Sequence, residues 1–332
     1  MGGATRLRDI LGRARGKRVA VVGDFMLDRH IIGAVKRISP EAPVPVVEIE
    51  DERSSLGGAG NVAANLGSLG IKPVVFGVCG TDSAQALLIS HLNACSCDCS
   101  GLLELSDRRT TEKIRVIAHD QHVVRVDRET VKALDGRETT ALMAALDAAL
   151  PTLDAVIMQD YNKGVLTADV ITRVMEKCEA RGLPVAVDPK FDNFALYRGA
   201  HLFKPNLREA ERALSLQISD DGSLDAAISR LLDVLAPDVL MLTRGEKGMT
   251  ICADGQRTTI PTQARDVADV SGAGDTVIST FVACELGGAN VIESATLANL
   301  AAGIVCEQVG VVPIDSERLS AAFERFTQVS GD

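Results

Sequence analysis

The run DVSGAGDT at residues 269–276 sets three small residues, Gly272, Ala273 and Gly274, directly before a carboxylate, Asp275. Strand-like sequence around 266–270, a turn at Ser271–Gly274 and a helix from about Asp275 would leave the N–H groups of the turn and first helical turn without intrahelical partners. That is an anion site made of main chain. Glycine suits it, because a Cβ would obstruct an approaching phosphoryl oxygen and penalise positive φ. A second reading stands beside the first: Gly-Asp-Thr ahead of an apolar helix is an adequate N-terminus in any protein, with Asp275 as its cap. In the functional reading the amides hold a transferring phosphoryl group while Asp275 accepts the proton of the attacking hydroxyl. Phosphoryl transfer asks chiefly for positioning, charge neutralisation and a base aimed at the nucleophile.

Other nucleotide-binding patterns fit less well. No GxxxxGK[ST] occurs, which argues against a P-loop NTPase. GAGNVA (58–63) formally matches G-x-G-x-x-A, yet EDERSSL precedes it where a buried strand belongs, so a nicotinamide enzyme is the weaker alternative. Cys95, Cys97 and Cys99 with His91 read HLNACSCDC; the one-residue gaps miss the usual zinc spacing, and a thiol-rich helix end and loop is the alternative to a soft metal site. The other cysteines are scattered singly, as buried reduced thiols are.

The elements that must position these residues follow from apolar runs. RVAVVGD (18–24), KPVVFGVCG (72–80), DAVIMQD (154–160), LPVAVDPK (183–190), AHLFKPN (200–206) and PDVLMLTRG (237–245) are continuous runs closed by Gly, Asp, Asn or Lys. Strands buried on both faces of a parallel sheet look like this. Helix-length stretches lie between them, among them 60–70, 167–182 and 223–236, the last two opening on cap-type Thr167 and Ser223. The alternation predicts a doubly wound α/β fold with functional residues at the carboxyl ends of its strands. APVPVVEIEDE (42–52) and TTEKIRVIAHDQHVVRVD (110–127) break the rhythm and predict exposed antiparallel strands in a small sheet, a lid or a dimer contact. Residues 288–310 read as two apolar helical stretches.

Composition bounds the rest. The 332 residues carry 35 basic and 45 acidic side chains, a net charge of −10, with no basic run and no Trp, which argues against nucleic-acid binding. An anionic substrate would therefore need a locally basic pocket. No leader-like start and no apolar run of membrane-spanning length is evident, so the cytoplasm is the expected address and no membrane partner is expected.

Taken together, DVSGAGDT, LGGAGNVAANLGSLG (56–70), GDFMLDR (23–29), KPNLREAE (204–211) and TRGEKGM (243–249) resemble, in order, the motifs of the ribokinase-like or PfkB-type carbohydrate kinases over roughly residues 17–315. The resemblance implies a ribokinase-like, doubly wound, mostly parallel sheet with a small β-sheet lid. It also implies one kinase domain over 1–332 whose lid strands span about 31–52 and 108–128. Within the family, RISPEAPVPVV (37–47), QDYNKGVL (159–166) and DPKFDNFALYRGAHLFKPN (188–206) resemble the D-glycero-β-D-manno-heptose 7-phosphate kinases, which move the ATP γ-phosphate to O1 of the sugar. Ser271 stands where Thr is usual, Gly60 where Ala is, and Gln159 where Ser is. No HxGH motif follows, so the chain is similar to a stand-alone kinase or to the kinase half of a fusion.

The resemblance also implies roles. Asp275 is the base and the 272–274 amides the anion hole. Asp24, Asp28, Gly57, Gly58 and Asn61 would meet the sugar, although turn and cap readings remain for each. Arg109, Lys163 and Lys190 are candidates for the 7-phosphate, and Arg37 for a dimer contact. Asn206 and Glu209 would organise Mg²⁺, Glu209 through water as its metal residue, while N-x-x-E is equally a capping pattern. Thr243, Gly245, Gly248 and Asn299 would line the ATP site. A homodimer through the lid is expected, and a kinase for another sugar, or a non-catalytic sugar-phosphate binder, are the alternatives.

Overall fold

The structure is a computed structural model that describes residues 3–119, 121–263 and 267–330. Helix α1 (Gly3–Ala14) leads into β1 (Arg18–Gly23), and β2 (Phe25–Ile38) follows after Asp24 alone. The chain continues through β3 (Pro45–Gly58), α2 (Ala59–Ser68), β4 (Lys72–Cys79), α3 (Ser83–Ala94), β5 (Asp98–Glu104), β6 (Thr111–Ala118) and β7 (Gln121–Arg128). Then come α4 (Gly136–Ala149), β8 (Ala155–Gln159), α5 (Ala168–Glu179), β9 (Val185–Asp188), β10 (Leu202–Phe203), α6 (Leu207–Leu214), α7 (Asp221–Leu235) and β11 (Val239–Thr243). The last elements are β12 (Met249–Ala253), β13 (Gln256–Ile260), α8 (Ala273–Leu286), α9 (Val291–Cys306) and α10 (Ser316–Ser330).

All six apolar runs form neighbouring strands of one sheet, ordered β13-β12-β11-β10-β9-β8-β1-β4-β5. From β11 to β5 every pairing is parallel, and only β12 and β13 run antiparallel at one edge. Strand alternation divides the interior into two cores. Val19, Val21 and Ile157 face α1, α2, α8 and α9, while Ala20, Val22, Val156 and Met158 face α4, α5 and α7. Each fully buried Val or Ile contributes ~1.5–3 kcal/mol, so both faces of the central strands hold the sheet between helices. This is the doubly wound arrangement, and the carboxyl ends of β1, β8, β9, β10 and β11 share one edge.

The second sheet has the order β3-β2-β6-β7. Its outer pairs are antiparallel as expected, but β2 and β6 pair in parallel, because the chain crosses α2, β4, α3 and β5 before returning. Its strands also reach further than 31–52: β2 starts at Phe25 and β3 runs to Gly58. Within the expected 108–128 span, residue 120 lies outside the described residues.

Three other expectations are corrected. No strand covers 267–270, and residue 266 lies outside the described residues; Ala268 and Asp269 instead donate backbone N–H groups to the Cys306 carbonyl at 2.8 and 3.1 Å. The 288–310 region holds one helix, α9, because Leu297 and Ala298 in its middle are buried and nothing there interrupts the ladder. The cap of α7 is Asp220, which accepts from Ser223 N at 2.8 Å; Ser223 is the third residue of the helix and its hydroxyl returns to Asp220 N. Among the described residues no helix is long and apolar enough to cross a membrane.

At the opposite edge of the large sheet, His201 lies between two carboxylates, Nδ1 at 3.0 Å from Asp238 and Nε2 at 2.9 Å from Glu285. Both ring nitrogens must donate there, and the hydrogen bond to Glu285 first of all pushes the imidazole up to about 9. The clamp ties the carboxyl end of α8 to the sheet.

Candidate active site

At the carboxyl edge, Gly272 caps α8 with φ +79°, and a Cβ there would stand 2.6 Å from Asn61 Nδ2. Only glycine fits. Gly274 is less constrained: a Cβ there would meet the flexible end of Lys204 at 3.3 Å and Asp188 Oδ2 at an ordinary 3.7 Å. Asp275 does not cap the helix; the helix already begins at Ala273, and its carboxylate projects into a buried polar cluster. This removes the capping alternative for that residue.

Three side chains converge on that carboxylate. Asn61 Nδ2 donates to Asp275 Oδ2 at 2.8 Å, while Gln159 Nε2 and the Tyr161 hydroxyl donate to Oδ1 at 2.9 and 3.1 Å. The same Gln159 amide donates to Asp188 Oδ2 at 3.0 Å, and Lys204 Nζ sits 2.9 Å from that oxygen. Burial, then the neighbouring Asp188 charge, pushes Asp275 up to about 7, with Asn61, Lys204 and Tyr161 pulling the other way. A base poised there switches protonation near neutrality. Gln159 Oε1 is buried with no hydrogen-bond partner among the described residues.

Asn61 is itself held. Asn65 Nδ2 donates to Asn61 O at 2.8 Å and Oδ1 at 3.1 Å, and Asn65 Oδ1 accepts from Thr276 Oγ1 and Ile314 N. With its oxygen facing Asn65, the Asn61 amide must turn its N–H toward Asp275.

The other expected residues are placed as follows. Asp24 is buried and accepts three backbone N–H groups, from Tyr161 (2.9 Å), Lys163 (3.1 Å) and Val165 (3.3 Å), which fixes the loop after β8. Asp28 is buried and pairs with Arg115. Gly57 and Gly58 close β3 tightly: a Cβ would lie 2.4 Å from Asp28 Oδ2 at Gly57 and 2.6 Å from Asp24 O at Gly58. Lys190 pairs with Glu209 Oε1 and lies 5.1 Å from the Tyr161 ring centre. Glu209 Oε2 accepts from Asn206 N, and Asn206 Oδ1 from Glu209 N, both at 2.9 Å, so the capping box is formed as well. Lys163 pairs with Glu129 at 2.7 Å.

Thr243 bridges to Asn206 at the end of β11, Gly245 (φ +60°) and Gly248 (φ +77°) shape the next turn, and Asn299 donates to Pro261 O at 2.7 Å. Arg109 is exposed and is not gathered with the others; its neighbour Arg108 is buried and donates to the Lys163 and Lys132 carbonyls. Sequence reading passed over Asp188, Lys204 and Tyr161 as site residues. Each sits at or just past a strand end, which was the available signal. Among the described residues no group of three or more His, Cys, Asp or Glu is placed to hold a metal; Cys95 ends α3, Cys97 is buried and Cys99 lies in β5.

With this geometry fixed, comparison with known proteins decides the family. Residues 17–317 match the family described as pfkB family carbohydrate kinase. The chain belongs to that family. As an ATP-dependent carbohydrate kinase in class, it is 44% identical over 308 residues to the bifunctional protein HldE of Caulobacter vibrioides and 43% identical over 313 residues to that of Citrifermentans bemidjiense. These alignments cover 92% and 93% of the kinase chain but only 63% and 64% of the relatives. The fold of the kinase also matches Arabidopsis thaliana ribokinase complexed with ribose and ATP (TM-score 0.73, 16% identity, 93% of this chain, 99% of that one). Phosphofructokinase-2 from Escherichia coli in complex with potassium gives a TM-score of 0.77 at 14% identity, covering 94% and 99%.

Proposed function

We propose that this carbohydrate kinase transfers the γ-phosphate of ATP to O1 of D-glycero-β-D-manno-heptose 7-phosphate, giving the 1,7-bisphosphate used in lipopolysaccharide-core synthesis in the cytoplasm. The observation that carries the kinase assignment is the buried Asp275 carboxylate, oriented by Asn61 on α2 and by Gln159 and Tyr161 at the end of β8, directly behind the Gly272–Gly274 backbone. Asp275 takes the proton of the acceptor hydroxyl, and the amides of 272–274 hold the phosphoryl oxygens. Asp24, Asp28, Gly57, Gly58 and Asn61 form the sugar side. Thr243, Gly245, Gly248 and Asn299 form the nucleotide side, with Asn206.

Mg²⁺ fits the donor chemistry: Glu209 offers a single carboxylate, and Mg²⁺ keeps most of its waters when protein ligands are few. When bound it neutralises phosphate charge. Lys190, already beside Glu209, adds a fixed cation there.

The heptose assignment rests on the RISPEAPVPVV, QDYNKGVL and DPKFDNFALYRGAHLFKPN runs. The shared catalytic residues serve equally for another sugar. An ADP-release screen over ribose, fructose, fructose 6-phosphate and heptose 7-phosphate decides: turnover is expected to be highest by far on the heptose phosphate, and preference for any other acceptor sinks the assignment.

We read 1–332 as one kinase domain and the small sheet as its lid. Val123, Val124, Val126 and Ile49 are exposed on that sheet, an apolar surface that a second copy would cover. Light scattering at micromolar concentration is expected to give twice the chain mass; a monomer refutes the dimer.

A further inference from the structure

Arg108 is a buried cation, yet among the described residues no carboxylate forms an ion pair with it. It lies in the 105–110 connection from β5 to β6, one of the crossings from the large sheet to the small one. Nη1 donates to the Lys163 carbonyl at 3.3 Å and Nη2 to the Lys132 carbonyl. Taking a guanidinium out of water to meet two neutral acceptors is costly. What the planar fork does well is hold two acceptors in a fixed relation, which a single ammonium does not.

Both carbonyls belong to segments without helix or strand. Lys132 lies in 129–135, where the chain leaves β7 for α4. That crossing is tied to the neighbouring one by Lys132 Nζ, 2.5 Å from Asp107, and by Thr130 Oγ1, which accepts from Arg109 N at 3.1 Å. Lys163 lies in 160–167, after β8. The two segments touch at Gly164, where Leu134 N donates to Gly164 O at 3.0 Å. Gly164 has φ +102°, and a Cβ there would collide with the Lys132 carbonyl, so only glycine permits the contact.

Lys163 is therefore gripped at both ends of its backbone. Its N–H donates to Asp24 Oδ2 at 3.1 Å and its carbonyl accepts from Arg108, while the Asp24 and Arg108 charges attract each other. Asn162, just before it, sits at φ +53°, a backbone that non-glycine residues keep when their surroundings impose it. On the far side of Asn162 is Tyr161, whose hydroxyl donates to Asp275 Oδ1 at 3.1 Å. A shift of the Lys163 carbonyl reaches that hydroxyl through one residue.

We propose that Arg108 is a positioning residue for phosphoryl transfer: by fastening the Lys163 carbonyl to the Lys132 crossing, it keeps the Tyr161 hydroxyl on Asp275. Arg108 acts through the 161–165 segment and not on the reacting groups. This rests on the reading of Asp275 as the base, which Asp275→Asn tests by itself.

The test is a double-mutant cycle on kcat at saturating ATP and saturating acceptor, the acceptor being whichever sugar or sugar phosphate turns over fastest in the ADP-release screen. Arg108→Lys keeps the charge but loses the fork. It is expected to lower kcat ~10-fold, the loss of one charge-assisted hydrogen bond, with KM for ATP unchanged. Tyr161→Phe is expected to lose about as much. The double variant should lose no more than Tyr161→Phe alone, because without the hydroxyl Arg108 has nothing left to position. A residue that only supported the fold would give losses that multiply. Arg108→Gln takes the place of Arg108→Lys in the cycle if the lysine variant does not fold. Multiplying losses, or a normal kcat in either single variant, overturn the role of Arg108. Near-normal kcat in Asp275→Asn overturns the base reading instead, and that variant is measured first.

Discussion

Asp275→Asn is expected to bind sugar phosphate and ATP almost as wild type does while losing ~10²–10⁴-fold in kcat, the range for removal of a general base. The substitution keeps the shape of the side chain, and its oxygen can still accept from Asn61, whose amide is locked by Asn65. What disappears is the only feature that matters for proton transfer. In wild type the acidic limb of the kcat/KM profile should bend near pH 7, where Asp275 takes up its proton. The variant's residual activity should lack that limb.

A stability measurement checks the same group independently. Its folded value of about 7 lies above the ordinary 3.8, so the folded protein binds the extra proton and wild type loses stability as pH rises between those values. The melting temperature of Asp275→Asn relative to wild type should therefore climb across that window. Near-normal kcat in the variant removes Asp275 from the role of base, and a flat difference in melting temperature contradicts its raised pKa.

Lys204→Met is expected to be the most destabilising single change in the site. Lys204 is 2% exposed and faces Asp188, itself 7% exposed, at 2.9 Å. Removing one partner of a buried pair leaves an uncompensated charge and costs ~3–5 kcal/mol. The urea midpoint should fall accordingly. The damage also reaches Asp275, because Gln159 joins the two carboxylates through one amide and Lys204 is among the charges that hold Asp275 down. Any folded Lys204→Met enzyme should show its acidic limb moved to higher pH. Adding Asp188→Asn should restore much of the stability, since the orphaned charge goes with it; a double variant no more stable than Lys204→Met contradicts the pairing.

The large sheet was legible because β1, β4, β8, β9 and β11 are continuous apolar runs with no competing period. Edge strand β13 was not: QRTTI is exposed for most of its length and carries no buried-strand signature. Asp275 and the glycines before it could be read locally, since a turn constrains residues adjacent in sequence. Lys204 and Asp188 could not be read that way. Their pairing depends on β9 and β10 lying side by side with strand ends level, a fact of tertiary register. The phosphate candidates divide along the same line. Arg109 and Arg108 are indistinguishable in sequence, and only the path of the chain after β5 decides which is buried.

The joins between the two sheets have a consequence for recombination. Asp24 alone separates β1 from β2, and β3 passes into α2 at Gly58 without a loop. Those two junctions also carry the carboxylate that ties down the 161–165 segment and the turn that leads to Asn61. Residues 24–61 are therefore structurally coupled, since the same stretch holds the 161–165 segment and places Asn61 against Asp275. A chimaera cut inside 24–61 would part those supports from the residues they hold, whereas an exchange that keeps the small sheet whole carries β6 and β7 along with β2 and β3, because β2 pairs with β6 along its first half.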